Sequence, residues 1–267
     1  MSDYDERFSG LARLYSVEGL ARLRKSHVCV IGVGGVGSWV VEALARSGIG
    51  QLTLIDLDEV CVSNVNRQLH ALDGEFGKAK VNVMAHRLRA INPECTVHAR
   101  VEFFLETNAE ELLKPSYDYV VDAIDAISKK ALLIAACRAK QIRILTIGAA
   151  GGRTDPAAIK VDDLAFTSDD GLLRNLRKDL RRAYGFPKEG VLPFGVECVF
   201  STEGVVYPQS DGTVCAVREE ESKLRLNCNN GYGTASFVTG AFGFVAASRV
   251  VRNLASGTQA NVSTPPI

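Results

Sequence analysis

The sequence predicts an α/β fold in which a mostly parallel β-sheet carries α-helices on both faces. The first observation is a glycine-rich run at 32–37, which separates a short apolar run from a helical stretch. The second is the alternation of short apolar runs with amphipathic stretches as far as residue 147, a pattern typical of parallel strands joined by crossover helices. After Asp155-Pro156 the alternation loosens. The predicted fold is therefore Rossmann-like, with a less regular C-terminal third.

The predicted strands are short apolar runs bounded by polar or turn-forming residues. They lie at 27–31, 51–55, 96–101, 117–124, 142–147, 159–164 and 196–201. The predicted helices are longer stretches in which apolar residues recur every three or four positions. They lie at 38–47, 78–91, 107–113, 128–140 and 171–184. Asn92-Pro93 ends the second of these helices, because proline disfavours a helical conformation in the residue before it.

The remaining segments predict a long loop and one further helix. Residues 202–233 are rich in Gly, Asn, Ser and Glu, which is typical of a loop. Residues 226–248 are uncharged and nearly long enough to span a bilayer, which takes ~20 apolar residues. This run contains four glycines and Arg249 follows it, so a helix buried behind the sheet is favoured over membrane association. The simplest partition is one domain over 1–267, with a nucleotide-binding core at 1–155 and a substrate-facing part with a closing helix at 156–267.

The composition is that of an ordinary globular protein. The 267 residues are 46% hydrophobic and 23% charged, with a formal net charge of zero. A polyanionic partner would therefore have to be held by a local basic patch and not by the whole surface. The seven cysteines form no Cys-x-x-Cys pair, and the N-terminus has no apolar leader core. We therefore expect reduced thiols and a cytoplasmic location.

The glycine-rich run predicts a nucleotide-binding turn, because bare backbone N–H groups at a helix N-terminus bind phosphate. The glycines concerned are Gly32, Gly34, Gly35 and Gly37. Asp56 ends the second apolar run, at a position where a carboxylate can bind ribose hydroxyls. These features fit a nicotinamide dinucleotide as well as they fit ATP, so they do not separate the two.

The residues that follow favour ATP. An enzyme that binds a triphosphate and magnesium needs several cations and a further carboxylate near the strand ends. Suitable groups follow Asp56 in the order Asp58, Asn64, Arg67, Gln68 and Lys80. Asp125 adds a carboxylate directly after the apolar strand predicted at 117–124. A nicotinamide enzyme would leave the cations unexplained, and the sequence contains no Gly-x-x-x-x-Gly-Lys-[Ser/Thr] loop for P-loop phosphoryl transfer.

This ordered set of motifs resembles the ubiquitin-activating-like adenylating enzymes, which include the bacterial activators of the molybdopterin and thiamine sulfur carriers. The matching segments are Val30-Ile-Gly-x-Gly-Gly-x-Gly, Asp56-x-Asp58-x-Val60, Ser63-Asn64-x-x-Arg67-Gln68, Gly77-Lys-Ala-Lys80 and Val121-Asp122-x-x-Asp125. The resemblance implies that Asp56 holds the ribose and that Asn64 and Arg67 contact the phosphates. It also implies that Lys80 pairs with the phosphates and that Asp125 binds Mg²⁺. Asp58, Gln68 and the glycines complete the implied site, and the family forms homodimers through this domain.

The chain also departs from the sulfur-carrier activators. Those enzymes carry two Cys-x-x-Cys pairs that hold structural zinc, and we expect no zinc here. Their N-terminal arm carries an arginine that reaches the ATP of the partner subunit. That position is Gly10 in this sequence, with Arg7 and Arg13 one helical turn to either side. We choose Arg13 as the candidate for this trans-acting arginine.

Basic residues cluster on the helix predicted at 171–184. At the ~100° step per residue of a helix they fill one arc of about 140°, opposite an apolar arc. The cluster consists of Arg174, Arg177, Lys178, Arg181 and Arg182. A basic stripe on a protein of zero net charge indicates contact with a phosphate backbone, and we expect it to bind tRNA. A plain solvated helix face is the alternative.

ATP activation, the absence of zinc and a basic stripe together favour a carboxylate carried by RNA. The whole chain is similar to the tRNA-modifying branch of the family, which dehydrates and cyclises threonylcarbamoyladenosine through an acyl adenylate. Adenylation of the C-terminal glycine of a small sulfur carrier is the alternative. A nucleotide-holding scaffold and nicotinamide oxidoreduction rank below these two. The resemblance also suggests a cysteine desulfurase or sulfur-acceptor protein as a partner. The thiol of Cys215 or Cys228 would then pass on the sulfur.

Overall fold

The computed structural model describes residues 2–114, 116–217 and 232–257. Within these ranges the chain forms seven α-helices and nine β-strands, numbered here in chain order. The helices are α1 (Asp3–Lys25), α2 (Gly37–Arg46), α3 (Lys80–Ile91), α4 (Ala109–Leu112), α5 (Ile127–Ala139), α6 (Gly171–Tyr184) and α7 (Ser236–Ser256). The strands are β1 (His27–Ile31), β2 (Gln51–Ile55), β3 (Thr96–Arg100), β4 (Tyr119–Asp122), β5 (Ile144–Ile147), β6 (Ile159–Asp163), β7 (Glu197–Ser201), β8 (Tyr207–Pro208) and β9 (Val214–Cys215).

Seven of the described strands form one sheet in the order β3-β2-β1-β4-β5-β7-β6. Neighbouring strands are parallel except β6 and β7, which are antiparallel. The predicted Rossmann-like, mostly parallel sheet is therefore confirmed. The C-terminal third contributes β6 and β7, together with a separate β8–β9 hairpin. Because β1 lies between β2 and β4, the strand order reverses beside it, and open α/β sheets bind ligands at such a switch point.

The strand register brings three loops together at the switch point. Ile31 of β1 pairs with Ile55 of β2 on one side and with Asp122 of β4 on the other. Since these strands are parallel, their carboxyl ends lie at one edge of the sheet. The glycine-rich turn, Asp56 and the loop to Asp125 therefore emerge side by side.

Two apolar clusters cover the two faces of the sheet. One contains Val30, Leu54 and Phe242 and packs α2, α3 and α7 against the strands. The other contains Val120 and Leu176 and packs α5 and α6. All five residues of β1 are buried, which explains why its sequence is almost continuously apolar instead of alternating.

The N-terminal helix α1 is an element that the sequence pattern did not predict. Ser2 caps it, and the Ser2 hydroxyl accepts a hydrogen bond from the Asp5 N–H at 3.2 Å. The Tyr4 hydroxyl donates to the Gly48 carbonyl oxygen at 2.6 Å. Ser16 has φ 68° and ψ 168°, so the helix is kinked at this residue. The kink separates an outer segment that carries Arg13 from an inner segment that leads into β1.

The closing helix predicted within the uncharged run forms as α7. Val238 and Val250 are among its buried side chains. No helix in the described ranges is long and apolar enough to cross a membrane. Gly243 allows α7 to approach α2 closely, because a Cβ at this position would lie 2.6 Å from the Trp39 Cβ and 2.9 Å from the Val36 carbonyl oxygen.

We predict that Gly243→Ala lowers the free energy of unfolding by about 1–3 kcal/mol, the usual cost of overpacking a core. Gly240→Ala is the matched control on the same helix. A Cβ on Gly240 would meet the Trp39 ring at 3.5 Å, which is an ordinary contact, and alanine favours a helix over glycine by ~1 kcal/mol. Equilibrium unfolding in urea measures both free energies. Equal free energies of unfolding for the two variants would show that the close approach of α7 and α2 does not require a glycine at position 243.

Candidate active site

The backbone of the turn between β1 and α2 is packed so closely that two of its glycines have no room for a side chain. A Cβ on Gly37 would overlap the Gly32 carbonyl oxygen, and a Cβ on Gly32 would lie 2.7 Å from the Ala123 carbonyl oxygen. Beside Gly34 the space is open, with only the Gln68 Nε2 at 3.9 Å from where a Cβ would be. The turn therefore presents bare backbone at the N-terminus of α2, a geometry that binds phosphate.

Asp56, directly after β2, is hydrogen-bonded into this turn. Its Oδ2 accepts the Val33 N–H at 2.6 Å, and its Oδ1 accepts the Asp58 N–H at 2.8 Å. Burial raises the pKa of the Asp56 carboxyl, and the two hydrogen bonds act in the opposite direction. One carboxylate thus joins the glycine turn to the segment after β2, at the position predicted for ribose recognition.

The side chain of Arg67 lies against the same turn. Its Cγ is 3.5 Å from the position that a Cβ on Gly35 would take. Its Nη1 donates to the Ser63 carbonyl oxygen at 2.7 Å and to the Asn66 Oδ1 at 2.9 Å. Both acceptors are neutral, so within the described ranges this guanidinium has no carboxylate partner. Arg67 is a cation beside a phosphate-binding turn with its charge uncompensated.

The backbone around Arg67 is held by α2 and α7. The Trp39 Nε1–H donates to the Arg67 carbonyl oxygen at 3.1 Å, and the Thr239 hydroxyl donates to it at 3.3 Å. The Asn66 Nδ2 donates to the Thr234 carbonyl oxygen at 2.8 Å. The position of this segment therefore depends on the packing of a helix far along the chain.

Asn64 and Gln68 are both 7% exposed, but their amides are used differently. The Asn64 Oδ1 accepts the Cys61 N–H at 3.0 Å, which caps the 3₁₀ helix Val62–Asn64. The Gln68 Oε1 is buried and has no hydrogen-bond partner in the described part of the chain. Buried polar atoms are usually paired, so this oxygen is unusual; the other end of the same amide, Nε2, is the atom that lies near Gly34.

Lys80 is buried, whereas its partner lies at the surface. The Lys80 Nζ is 2.8 Å from the Asp58 Oδ2, and the two side chains are 7% and 57% exposed respectively. Asp58 is the solvated member, so another anion can take its place without burying a second charge, whereas opening the pair with no replacement would leave a buried ammonium unpaired. Lys80 is thus a cation at the predicted position, and a phosphate can replace Asp58 as its partner.

His70 is a buried polar residue that the sequence analysis did not assign to the site. It is 1% exposed, and neither ring nitrogen has a partner among the described residues. Burial lowers the pKa of the imidazole to about 4, and the positive charge of Lys80 acts in the same direction. The ring is therefore neutral near pH 7. Nothing in the sequence distinguishes it from a packed core histidine.

Asp125 is exposed directly after β4, at the edge predicted for it. The loop that carries it is fixed by Asp122, whose Oδ1 accepts the Ile124 N–H at 3.1 Å. The Asp122 Oδ2 lies 2.9 Å from the Lys130 Nζ, and both side chains are 0% exposed. Neither residue of this pair was predicted to have a role, because a lysine in a helix is usually solvated.

Arg13 is exposed on the outer segment of α1. In the described ranges it has no hydrogen bond or ion pair to the residues around the glycine turn. Tyr4 and Phe8 of the same segment pack near Gly48, which precedes β2 at the opposite edge of the sheet. The structure therefore does not bring Arg13 into the pocket of its own chain, and its trans-acting role stays a prediction.

The expectation that five basic side chains of α6 share one exposed arc is wrong for two of them. Arg177 is 9% exposed and donates to the Thr167 hydroxyl. The Arg181 Nε donates to the Pro187 carbonyl oxygen at 3.1 Å, and its guanidinium lies over the Phe194 ring. The chain after α6 folds back over this part of the helix. The exposed members are Arg174, Lys178 and Arg182.

The residues at the carboxyl edge of the sheet fit a nucleoside triphosphate with Mg²⁺. The turn offers bare backbone, Arg67 and Lys80 offer cations, and Asp125 offers an exposed carboxylate. Mg²⁺ usually binds through one or two carboxylates together with substrate phosphates, so a dedicated cage is not required. Among the described residues, no group of three or more His, Cys, Asp or Glu side chains could hold a metal ion.

Comparison with known proteins identifies the family, since residues 7–265 match the ThiF family. This chain belongs to the ThiF family. It is 49% identical to the tRNA threonylcarbamoyladenosine dehydratase of Haemophilus influenzae over 95% of both chains. It is 50% identical to the Escherichia coli protein of the same name over 93% of both. The crystal structure of E. coli tRNA N6-threonylcarbamoyladenosine dehydratase, TcdA, in complex with ATP has 45% identity and a TM-score of 0.85, covering 96% of this chain and 97% of that chain.

We predict that Lys80→Met weakens ATP binding by this ThiF-family chain about tenfold or more, because hydrogen bonds to charged groups contribute about 1.5–3 kcal/mol. Lys78→Met is the matched control, since Lys78 is exposed and its ion pair among the described residues is with the nearby Glu75, at 3.1 Å. Calorimetric titration with ATP measures both affinities. Similar losses in the two variants would contradict the phosphate role of Lys80.

Proposed function

We propose that this chain is an ATP-dependent, ligase-type enzyme that dehydrates threonylcarbamoyladenosine in tRNA through an acyl adenylate. The observation that carries the proposal is 49% and 50% identity, over almost the whole chain, to proteins named for that activity. The cations at the glycine turn support it. The proposal includes one adenylating domain over 1–267, with the nucleotide in 1–155 and the tRNA against 156–267, and the cytoplasmic location that a tRNA substrate implies.

The reaction requires two anions to be held against each other. An oxygen of the threonyl carboxylate attacks the α-phosphorus of ATP, and pyrophosphate leaves. The urea nitrogen of the same modification then attacks the activated acyl carbon and loses its proton, so that a ring closes and AMP departs with the oxygen. The net change in the nucleoside is the loss of one water. Because this nitrogen is already tethered, its effective concentration is high and no external thiol is needed.

Each predicted residue has a defined part in this chemistry. Arg67 and Lys80 would screen the repulsion between the carboxylate and the phosphates. Asp125 would hold Mg²⁺, which supplies further screening of phosphate charge when it is bound. Asp56 would bind the ribose, and the Gln68 amide lies beside the turn, with its Nε2 near Gly34.

The proposal extends to a homodimer in which Arg13 reaches the ATP of the partner subunit. Leu14 and Val17, which flank the kink of α1, are 75% and 72% exposed. Apolar side chains this exposed on an outward-facing helix suit contact with a second subunit. A sulfur-acceptor protein would find Cys215 accessible, since this thiol is exposed in β9. The other candidate, Cys228, lies outside the described residues.

The exposed cations of α6 are proposed to bind the tRNA backbone. Lys178 and Arg182 line a groove of about 660 Å³ that also includes Ile127 and Ser128 at the start of α5. These two residues lie just after Asp125 in the chain. The groove therefore leads from the basic face of α6 towards the proposed magnesium carboxylate, and RNA lying along it could present a modified nucleoside at the pocket.

We predict that AMP forms from ATP only when tRNA that carries threonylcarbamoyladenosine is present. Asp125→Ala should lower the rate of AMP formation about 100-fold, because the loss of one electrostatic stabiliser of a transition state typically has an effect of this size. Asp73→Ala, at another exposed carboxylate, should leave the rate unchanged. Radiolabelled AMP release is measured together with mass spectrometry of the tRNA nucleosides.

The same assay separates the proposal from its alternatives when a small sulfur-carrier protein replaces the tRNA. That second candidate is kept because the motif set is shared with the sulfur-carrier activators. Release of AMP with the carrier and not with tRNA would favour it. Binding of ATP without AMP release from either substrate would instead favour a nucleotide-holding scaffold.

We predict that Lys178→Glu weakens tRNA binding several-fold and lowers the slope of log affinity against log salt by about 1, since one phosphate contact is lost. Lys25→Glu makes the same charge change at the end of α1, on the opposite edge of the sheet, and serves as the control. Filter binding at several salt concentrations gives both slopes. Equal slopes for wild type and Lys178→Glu would show that Lys178, and with it this face of α6, does not contact the tRNA backbone.

A further inference from the structure

A fully buried ion pair lies beneath the loop that leads from β4 to Asp125. The Lys130 Nζ is 2.9 Å from the Asp122 Oδ2, and both side chains are 0% exposed. Lys130 also donates to the Ile124 carbonyl oxygen at 2.9 Å. The Asp122 Oδ1 accepts the Ile124 N–H at 3.1 Å. The pair therefore holds both main-chain polar groups of the residue that directly precedes Asp125.

The same loop is fixed by contacts from two other strands. The Thr146 hydroxyl in β5 donates to the Asp122 Oδ2 at 2.6 Å. The Ala123 N–H donates to the Ile31 carbonyl oxygen at the end of β1 at 2.9 Å. The Ala123 carbonyl lies where only a glycine at position 32 leaves room for it. The loop is thus fastened to β1, β5 and α5 before it reaches Asp125.

A core does not need an ion pair buried to this degree. The loss of hydration of two buried charges usually matches or exceeds their attraction, and apolar residues of similar volume are equally or more stable in many cases. Here both charged side chains hydrogen-bond the main chain of one residue, Ile124, in the loop after β4. Contacts of this kind orient the groups that meet a ligand or metal, although they do not touch it themselves.

We infer that Lys130, acting with Asp122, is a positioning residue that holds the Asp125 carboxylate where it can bind the Mg²⁺ of the nucleotide. This inference rests on the proposed function, which assigns magnesium to Asp125. Lys130 acts through the Ile124 main chain, since its ammonium is fully enclosed and its described partners are the Asp122 carboxylate and the Ile124 carbonyl oxygen.

The test measures magnesium linkage, defined as the ratio of the ATP dissociation constants without and with Mg²⁺, by calorimetry on the full chain. The double variant Asp122→Asn/Lys130→Met removes both buried charges at similar volume and breaks the bond to the Ile124 carbonyl. Thr146→Val is a milder change that keeps the pair. Lys129→Met, at the neighbouring lysine outside the pair, is the control. Asp125→Ala sets the ratio that remains when the carboxylate is absent.

We expect wild type and Lys129→Met to share one large ratio and Asp125→Ala to approach a ratio of one. In the double variant the ratio should fall about tenfold, because removing residues that orient a metal ligand typically lowers metal affinity 10–100-fold. In Thr146→Val the ratio should fall less, because Thr146 holds the same Asp122 oxygen that Lys130 contacts. If the double variant does not fold, an unchanged ratio in Thr146→Val overturns the positioning role. A purely structural pair would change stability and leave the ratio unchanged, because the ratio compares two affinities of folded protein.

The outcome that would overturn the positioning role alone differs from the outcome that would also overturn the magnesium role of Asp125. A wild-type ratio near one would overturn both the magnesium role of Asp125 and the positioning role of Lys130. A large ratio that Asp125→Ala abolishes, but that the double variant and Thr146→Val retain, would overturn the positioning role alone and leave the proposed function standing.

Discussion

Close backbone approach at the carboxyl ends of β1, β2 and β4 is the constraint on which the rest of the structure depends. Gly37 packs on Gly32, Gly32 packs on the Ala123 carbonyl, and the Asp56 carboxylate takes the Val33 N–H. A side chain at either glycine would separate these three loops. The strand register, the two apolar clusters and the tight packing of α7 on α2 all keep the loops in this arrangement, and the proposed nucleotide site lies between them.

Three cations near this edge differ in the partner that each one has. Lys80 pairs with a carboxylate that is 57% exposed, Arg67 contacts neutral oxygens, and Lys130 pairs with a carboxylate that is 0% exposed. A solvated or neutral partner can be exchanged for a phosphate at small cost, whereas an enclosed one cannot. The exposure of the partner therefore separates the cations that can meet a substrate from the one that organises the protein.

Local signals explain how much of this fold could be predicted from the sequence. The helix predicted at 171–184 has those bounds because Asp170 caps its start and Gly185, with φ 65°, ends it. The strand predicted at 117–124 is shorter, since its last residues leave the sheet to form the loop fixed by Asp122. The order of the motif residues predicted that Asp56 and Asp125 follow strands of one sheet edge, and the structure places both after β2 and β4 there. The burial of Arg177 and of Lys130 was not predictable, because it depends on contacts with segments that are distant in sequence.

The hydrogen bonds that tie the Arg67 segment to α7 and to Thr234 just before it affect how the chain folds during its synthesis. Asn66 and Arg67 are bonded to Thr234 and Thr239, which follow them by 168 and 172 residues. During synthesis on the ribosome the glycine turn emerges early, but the Arg67 segment stays unsupported until α7 has been translated and has docked. A ligand stabilises only the state that binds it. Cellular ATP would therefore protect finished chains from proteolysis and give no such protection to nascent ones.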